Sequence, residues 1–126
     1  MPTLGRGRIV LAEVVDPQSH NRKVRPLVIV TPTEEIREST PFVGIAVSTT
    51  FPHPVPNTCV ELPYDSTGQA KTGLRKRSVA VCSWRQALTH ADVIRDIGRV
   101  PDRQMLTILE KMKRYTEPPP SVAQTE

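Results

Sequence analysis

An arginine set directly before a proline, a run of three hydroxyl residues, and a lone tryptophan followed by arginine are the groups here best suited to handling a phosphate. Arg25 precedes Pro26 and the apolar run 27–30, Ser48, Thr49 and Thr50 follow the alternating stretch 43–47, and Trp84 and Arg85 follow the stretch 78–82. A guanidinium is a planar fork that makes two charge-assisted bonds to a phosphate, and a neighbouring hydroxyl can donate to a non-bridging oxygen. His20 places a titratable imidazole in the polar segment ahead of Arg25. Arg22 and Lys23, and the cluster Lys71, Arg75, Lys76 and Arg77, add charge of the kind that tracks a phosphate backbone. Trp84 offers a ring on which a base can stack. Each group also has a plainer role open to it: a solvated strand-end arginine, turn hydroxyls, a loop histidine, a core tryptophan, a solvated basic turn.

Composition narrows the classes. The chain has 126 residues, 17 Lys+Arg against 13 Asp+Glu, and a net charge of +4. Of the 17 basic residues, seven lie in the two stretches 22–25 and 71–77, so the excess is local and permits a polyanionic partner. The 13 prolines are incompatible with a bundle of long helices. The two cysteines, Cys59 and Cys82, sit in apolar stretches and read as buried free thiols rather than as a disulfide framework. The three histidines share no short metal-ligand spacing, so no metal site and no cofactor is expected. The motifs of P-loops, serine hydrolases and zincins are missing. No apolar run approaches the length of a membrane span, and no leader is visible, which suits a cytoplasmic location.

The elements that must position these groups are short. Residues 8–15 are rich in β-branched types and close on Asp16-Pro17, a turn signal. The run 27–30 reads as a strand buried on both faces, with Pro26 at its start, where a missing N–H costs no ladder bond. Residues 33–40 read as a loop or a single helical turn. Residues 43–47 and 59–63 read as further strands, separated by a proline-rich extended loop, and 78–82 as another. A helix begins near Pro101, with Met105, Leu106, Ile108, Leu109 and Met112 as its apolar stripe. Residues 1–115 thus form one domain, and 116–126 a disordered proline-rich tail. Five or six short strands with one terminal helix predict a mainly β fold, a small, strongly bent barrel carrying a C-terminal α-helix.

The residues also resemble a family. Gly7-Arg8-Ile9-Val10-Leu11-Ala12-Glu13-Val14-Val15-Asp16-Pro17, followed by Arg25-Pro26-Leu27-Val28-Ile29-Val30, is similar to the opening of the MazF/PemK (Kid) toxins. Val47-Ser48-Thr49 falls where that family has a threonine at the end of its third strand. Gly98-Arg99-Val100-Pro101-Asp102 resembles its entry to the final helix, and the likeness spans residues 5–114. It implies an SH3-like barrel of the CcdB/MazF type, a homodimer, and a metal-independent endoribonuclease of single-stranded RNA that a cognate antitoxin protein neutralises. In that chemistry a ribose 2′-hydroxyl attacks its own phosphate, giving a 2′,3′-cyclic phosphate and a 5′-hydroxyl. Arg25 matches the family arginine. Ser48, or Thr49 if the register shifts by one, matches the threonine, and His20 is the candidate base. Arg22, Lys23, Arg75, Lys76, Arg77, Trp84 and Arg85 are the expected RNA contacts. Where the family reads [DE]-Q-x-R, this chain has Ser83-Trp84-Arg85-Gln86. That departure keeps a second function in view, a binding module for RNA or a peptide that does not cut. Inhibition of DNA gyrase, an activity of the related CcdB toxins, finds little support in the polar C-terminus.

Overall fold

Residues 8–15 and the apolar run after Arg25 pair as neighbouring strands in the computed structural model, which describes residues 4–15 and 22–115. Strand β1 (Arg8–Val15) lies antiparallel to β2 (Arg22–Ile29), and β3 (Phe42–Ser48), β4 (Cys59–Leu62) and β5 (Ser78–Leu88) follow. Strand β6 (Val93–Arg99) then returns to the far side of β1, and helix α1 (Asp102–Tyr115) ends the described chain. One antiparallel sheet results, in the order β4-β5-β3-β2-β1-β6. The mainly β architecture with one C-terminal helix is the expected one.

Alternation along the strands builds a core on each face of this sheet. Ile9, Val28, Val30, Ile45, Val47 and Ala80 turn to one side, where Met105 and Ile108 of α1 cover them. Val10, Ala12, Val14, Leu27, Ile29, Phe42 and Leu88 turn to the other. Pro101 precedes α1, and its carbonyl accepts the first helical bond from Met105 N at 3.0 Å. Asp102 places a negative charge in the first turn, where it complements the helix dipole. Leu106 departs from the expected stripe. It is 70% exposed, because the buried face follows Met105 and Ile108, with Leu109 and Met112 partly buried beside them.

Three features differ from the sequence pattern. Pro26 does not start its strand, since β2 begins at Arg22 and Pro26 stands opposite Leu11 of β1. The reason is directional. Gly7 N donates to Ile29 O on one side of β2, and Val30 N donates to Val43 O on the other. Even-numbered residues of β2 therefore point their N–H toward β3, and the β2–β3 ladder reaches no further than Leu27–Ala46. The missing N–H of Pro26 faces the side where pairing has stopped. The proline stands one residue outside the β2–β3 ladder and inside the β1–β2 ladder, not at the start of the strand.

Second, β5 does not end at Cys82 but runs on to Leu88 across a wide bulge. Val47 pairs with Ala80 and Ile45 with Arg85, so residues 81–84 stand against Ala46 alone. Third, β6 carries no clean alternation. It is an edge strand whose pairing with β1 slips twice, and its Asp96 forms a forked ion pair with Arg8, at 2.7 and 3.0 Å. Over β6 crosses the segment joining β4 to β5. A Cβ on Gly98 would lie 2.2 Å from Lys71 O, and one on Gly73 would lie 2.1 Å from Ile97 O. Gly73 also has φ +73°, a conformation that favours glycine. Both positions need glycine for the backbones to meet. The proposed tail, 116–126, lies outside the described residues.

Candidate active site

Because β2 and β3 part after Leu27–Ala46, an opening is left between their ends. Arg25 and Pro26 border it on β2, and Val47 and Thr49 on the β3 side. Leu11 and Val24 continue the wall, Ile97 and Arg95 join from β6, and Gly73 to Lys76, with Ser78, close it. The groove has a volume of about 470 Å³, within the range of roughly 300–1,000 Å³ that holds a small ligand. Its apolar floor carries a cationic rim of Arg25, Arg75, Lys76 and Arg95, and no carboxylate lines it among the described residues. Such a surface attracts an anion and presents low-dielectric walls that strengthen the attraction.

The structure thus brings together Arg25, Thr49, Arg75 and Lys76 from the expected set. Thr49, not Ser48, lines the groove. The Ser48 hydroxyl is turned into its own turn, donating to Thr50 O at 2.8 Å and accepting from Thr50 N at 3.1 Å. Arg75 lies over Gly68, where a Cβ would meet its Nη2 at 3.1 Å. Other expected RNA contacts stand elsewhere. Arg77 is held by Glu61 at 2.9 Å, with its Cζ 5.5 Å from the Phe51 ring centroid, so it pins the proline-rich loop instead of facing the groove. Arg22 pairs with Glu13 at 3.5 Å. Lys23 and Arg85 are exposed and do not line the groove. His20 lies outside the described residues.

Trp84 is half-buried, and the Arg25 Cζ sits 5.1 Å from its ring centroid. Its Nε1 is buried without a hydrogen-bond partner among the described residues, a cost an aliphatic side chain would avoid. Two polar residues of the groove carry no functional signal in the sequence. Ser78 has the pattern of an ordinary strand residue, and its Oγ donates to Lys76 O at 2.8 Å, fixing the basic turn. Arg95 belongs to the strand without alternation, and no local signal marks it.

Burial raises the Cys82 thiol to about 11, so it is no nucleophile at neutral pH. Cys59 is also buried and free. Among the described residues no cluster of His, Cys, Asp and Glu is placed to hold a metal, and no helix is long and apolar enough to cross a membrane.

Fold and groove together define a class: a small antiparallel β protein with a terminal helix and a cationic groove opening where two central strands part. The chain belongs to the PemK-like, MazF-like toxins of type II toxin–antitoxin systems, whose family model matches residues 5–116. Solved structures share the fold. Mycobacterium tuberculosis toxin MazF-mt6 superposes with a TM-score of 0.62 at 21% identity, covering 85% of this chain and 93% of that one. An endoribonuclease from a mycobacterial species, in complex with its cognate antitoxin, gives 0.64 at 16%, covering 88% and 92%. MazF from Deinococcus radiodurans gives 0.70 at 14%, covering 90% and 96%. No curated protein matches the chain.

Proposed function

We propose that this toxin is a metal-independent endoribonuclease that cuts single-stranded RNA in the groove beside Arg25. The observation that carries the reading is the convergence of Arg25, Thr49, Arg75, Lys76 and Arg95, from four parts of the chain, on one apolar-floored opening. Arg25 would grip the scissile phosphate and stabilise the charge that develops on it, and the Thr49 hydroxyl would donate to a phosphate oxygen. The three remaining cations would hold flanking phosphates. The ribose 2′-oxygen attacks phosphorus as the bond to the 5′-oxygen breaks, leaving a 2′,3′-cyclic phosphate and a 5′-hydroxyl. The 2′ proton goes to a base, for which His20 is the candidate, and the leaving oxygen takes a proton from the opposite side. Related toxins crystallise with a cognate antitoxin, which supports an antitoxin for this chain, and a homodimer acting in the cytoplasm completes the reading.

The test is incubation of the purified protein with mixed-sequence RNA in EDTA. Fragments with 5′-hydroxyl ends are expected, and Arg25→Ala should abolish them while leaving the circular dichroism spectrum unchanged. Cleavage that survives the substitution would overturn the site. One observation favours a second reading: the groove's described lining holds neither carboxylate nor imidazole. A non-catalytic RNA- or peptide-binding module would bind the same RNA and leave it intact.

A further inference from the structure

We infer that one side of α1 is the surface on which two copies of this chain pair, helix against antiparallel helix, with Leu106 and Leu109 at the centre of the contact. The inference rests on the homodimer of the reading above, and deepens it by naming the residues that make it.

The surface is laid out by spacing. Asp102, Leu106, Leu109 and Lys113 follow one another at intervals of four, three and four residues, the spacing of a coiled-coil seam. At 3.6 residues per turn they fall within a strip about 60° wide. That strip runs beside the buried face, which Met105 and Ile108 form. Leu106 is 70% exposed, Asp102 and Lys113 are exposed, and Leu109 is only partly buried. Arg6 stands next to the strip. With Leu109, Glu110 and Lys113 it lines a cleft of about 440 Å³, and with Asp102, Met105, Leu106 and Leu109 a second of about 460 Å³. The single chain thus leaves two leucines at the edge of open space that side chains from a second helix can enter.

The order of the charges selects the occupant. Positions 102 and 113 share one midpoint with positions 106 and 109, so a two-fold axis through that point returns the strip onto itself with the helices antiparallel. Asp102 then faces Lys113 of the second copy and Leu106 faces its Leu109, and each contact occurs twice. Parallel helices would instead set Asp102 against Asp102 and Lys113 against Lys113. Neither Asp102 nor Lys113 forms an ion pair within the chain among the described residues, so each charge is left for a contact outside it. Burial of the leucines supplies the attraction, and the end charges set its direction. A peptide charged with one sign would be drawn to one end of the strip and repelled from the other.

None of the four strip residues lines the groove, so substitutions here test the pairing without touching the residues assigned to RNA. Sedimentation over a concentration series should show the unsubstituted chain as a dimer. Leu106→Arg, at a position the core does not use, should raise its dissociation constant by at least about a hundredfold. Asp102→Lys and Lys113→Asp should each weaken self-association roughly tenfold, because each sets like charges together at both ends. Mixed in equal amounts, those two variants should pair with each other in preference to themselves, since one then carries two positive ends and the other two negative. Native mass spectrometry counts the mixed dimers. Mixed dimers in no more than statistical proportion would overturn the antiparallel register. A dimer that Leu106→Arg leaves intact would overturn the surface while the homodimer stands. An unsubstituted chain that stays monomeric would remove homodimer and surface together. Failure to cut RNA, read separately, would remove the cleavage reading and leave the surface in place.

Discussion

Leu11 of β1 stands opposite Arg95 of β6, and that pairing carries a cation into the groove from the far edge of the sheet. Arg75 and Lys76 arrive from the opposite direction, on the turn that Ser78 fixes through Lys76 O. The rim is therefore assembled by the ladder and the turn rather than by a run of basic sequence.

Arg75→Ala, Lys76→Ala and Arg95→Ala should each weaken RNA binding without regard to base sequence. Each should also reduce the slope of log affinity against log salt by about 0.7, the value for one phosphate on a single strand. Arg77→Ala and Arg22→Ala, whose guanidiniums pair with Glu61 and Glu13, should leave that slope unchanged. Fluorescence anisotropy at several salt concentrations checks both halves.

Thr49→Val removes a hydroxyl from the groove that Arg25 also lines and keeps the shape. Cleavage should fall by about ten- to a hundredfold, the range for a lost bond to a charged group. Ser48→Ala removes only a turn contact and should change melting temperature more than turnover. Equal kinetic losses in the two variants would reverse the assignment of the hydroxyl.

Gly98→Ala and Gly73→Ala force a Cβ against backbone at 2.2 and 2.1 Å, and Gly73→Ala also strains a positive φ. Each should destabilise the protein by about 1–3 kcal/mol or more. The segment carrying Arg75 and Lys76 should then lift from β6. Thermal melts and hydrogen exchange at residues 71–76 would report it.

The Cys82 thiol, raised to about 11 from its ordinary 9.0 by burial, should resist alkylation at pH 8 until the protein unfolds. The sign for stability follows. The thiol is neutral when protonated, so between pH 9 and 11 the unfolded chain gives up a proton that the folded chain keeps. This contribution is intact below pH 9 and declines as pH rises through that window. Labelling with iodoacetamide, followed by mass spectrometry of the peptide, gives the rate. Native labelling as fast as that of the unfolded chain would contradict the burial.

Much of the fold is legible because each strand or helix that packs a core states its face locally. Residues 8–15 do so by their β-branched content, 43–47 by alternation of large and small side chains, and Met105, Ile108, Leu109 and Met112 by helical spacing. Arg25 is legible for a related reason, since the proline beside it constrains the backbone whatever surrounds it. What is illegible depends on partners far away. Strand β6 is held by pairing with β1 and by the Arg8–Asp96 ion pair, and neither leaves a period in its own residues. Leu106 fits the helical stripe by spacing, yet only the position of the sheet beneath α1 decides that it stays in water. The choice of Thr49 over Ser48 rests on which way one turn closes. The sequence by itself determined strands β1 to β4, the start of β5, the terminal helix and the arginine. The tertiary structure alone decided which cations share a groove with that arginine, and that an indole lies against it. Those relations hang on ladder register, and a bulge in β5 resets the register from a distance that no local pattern spans.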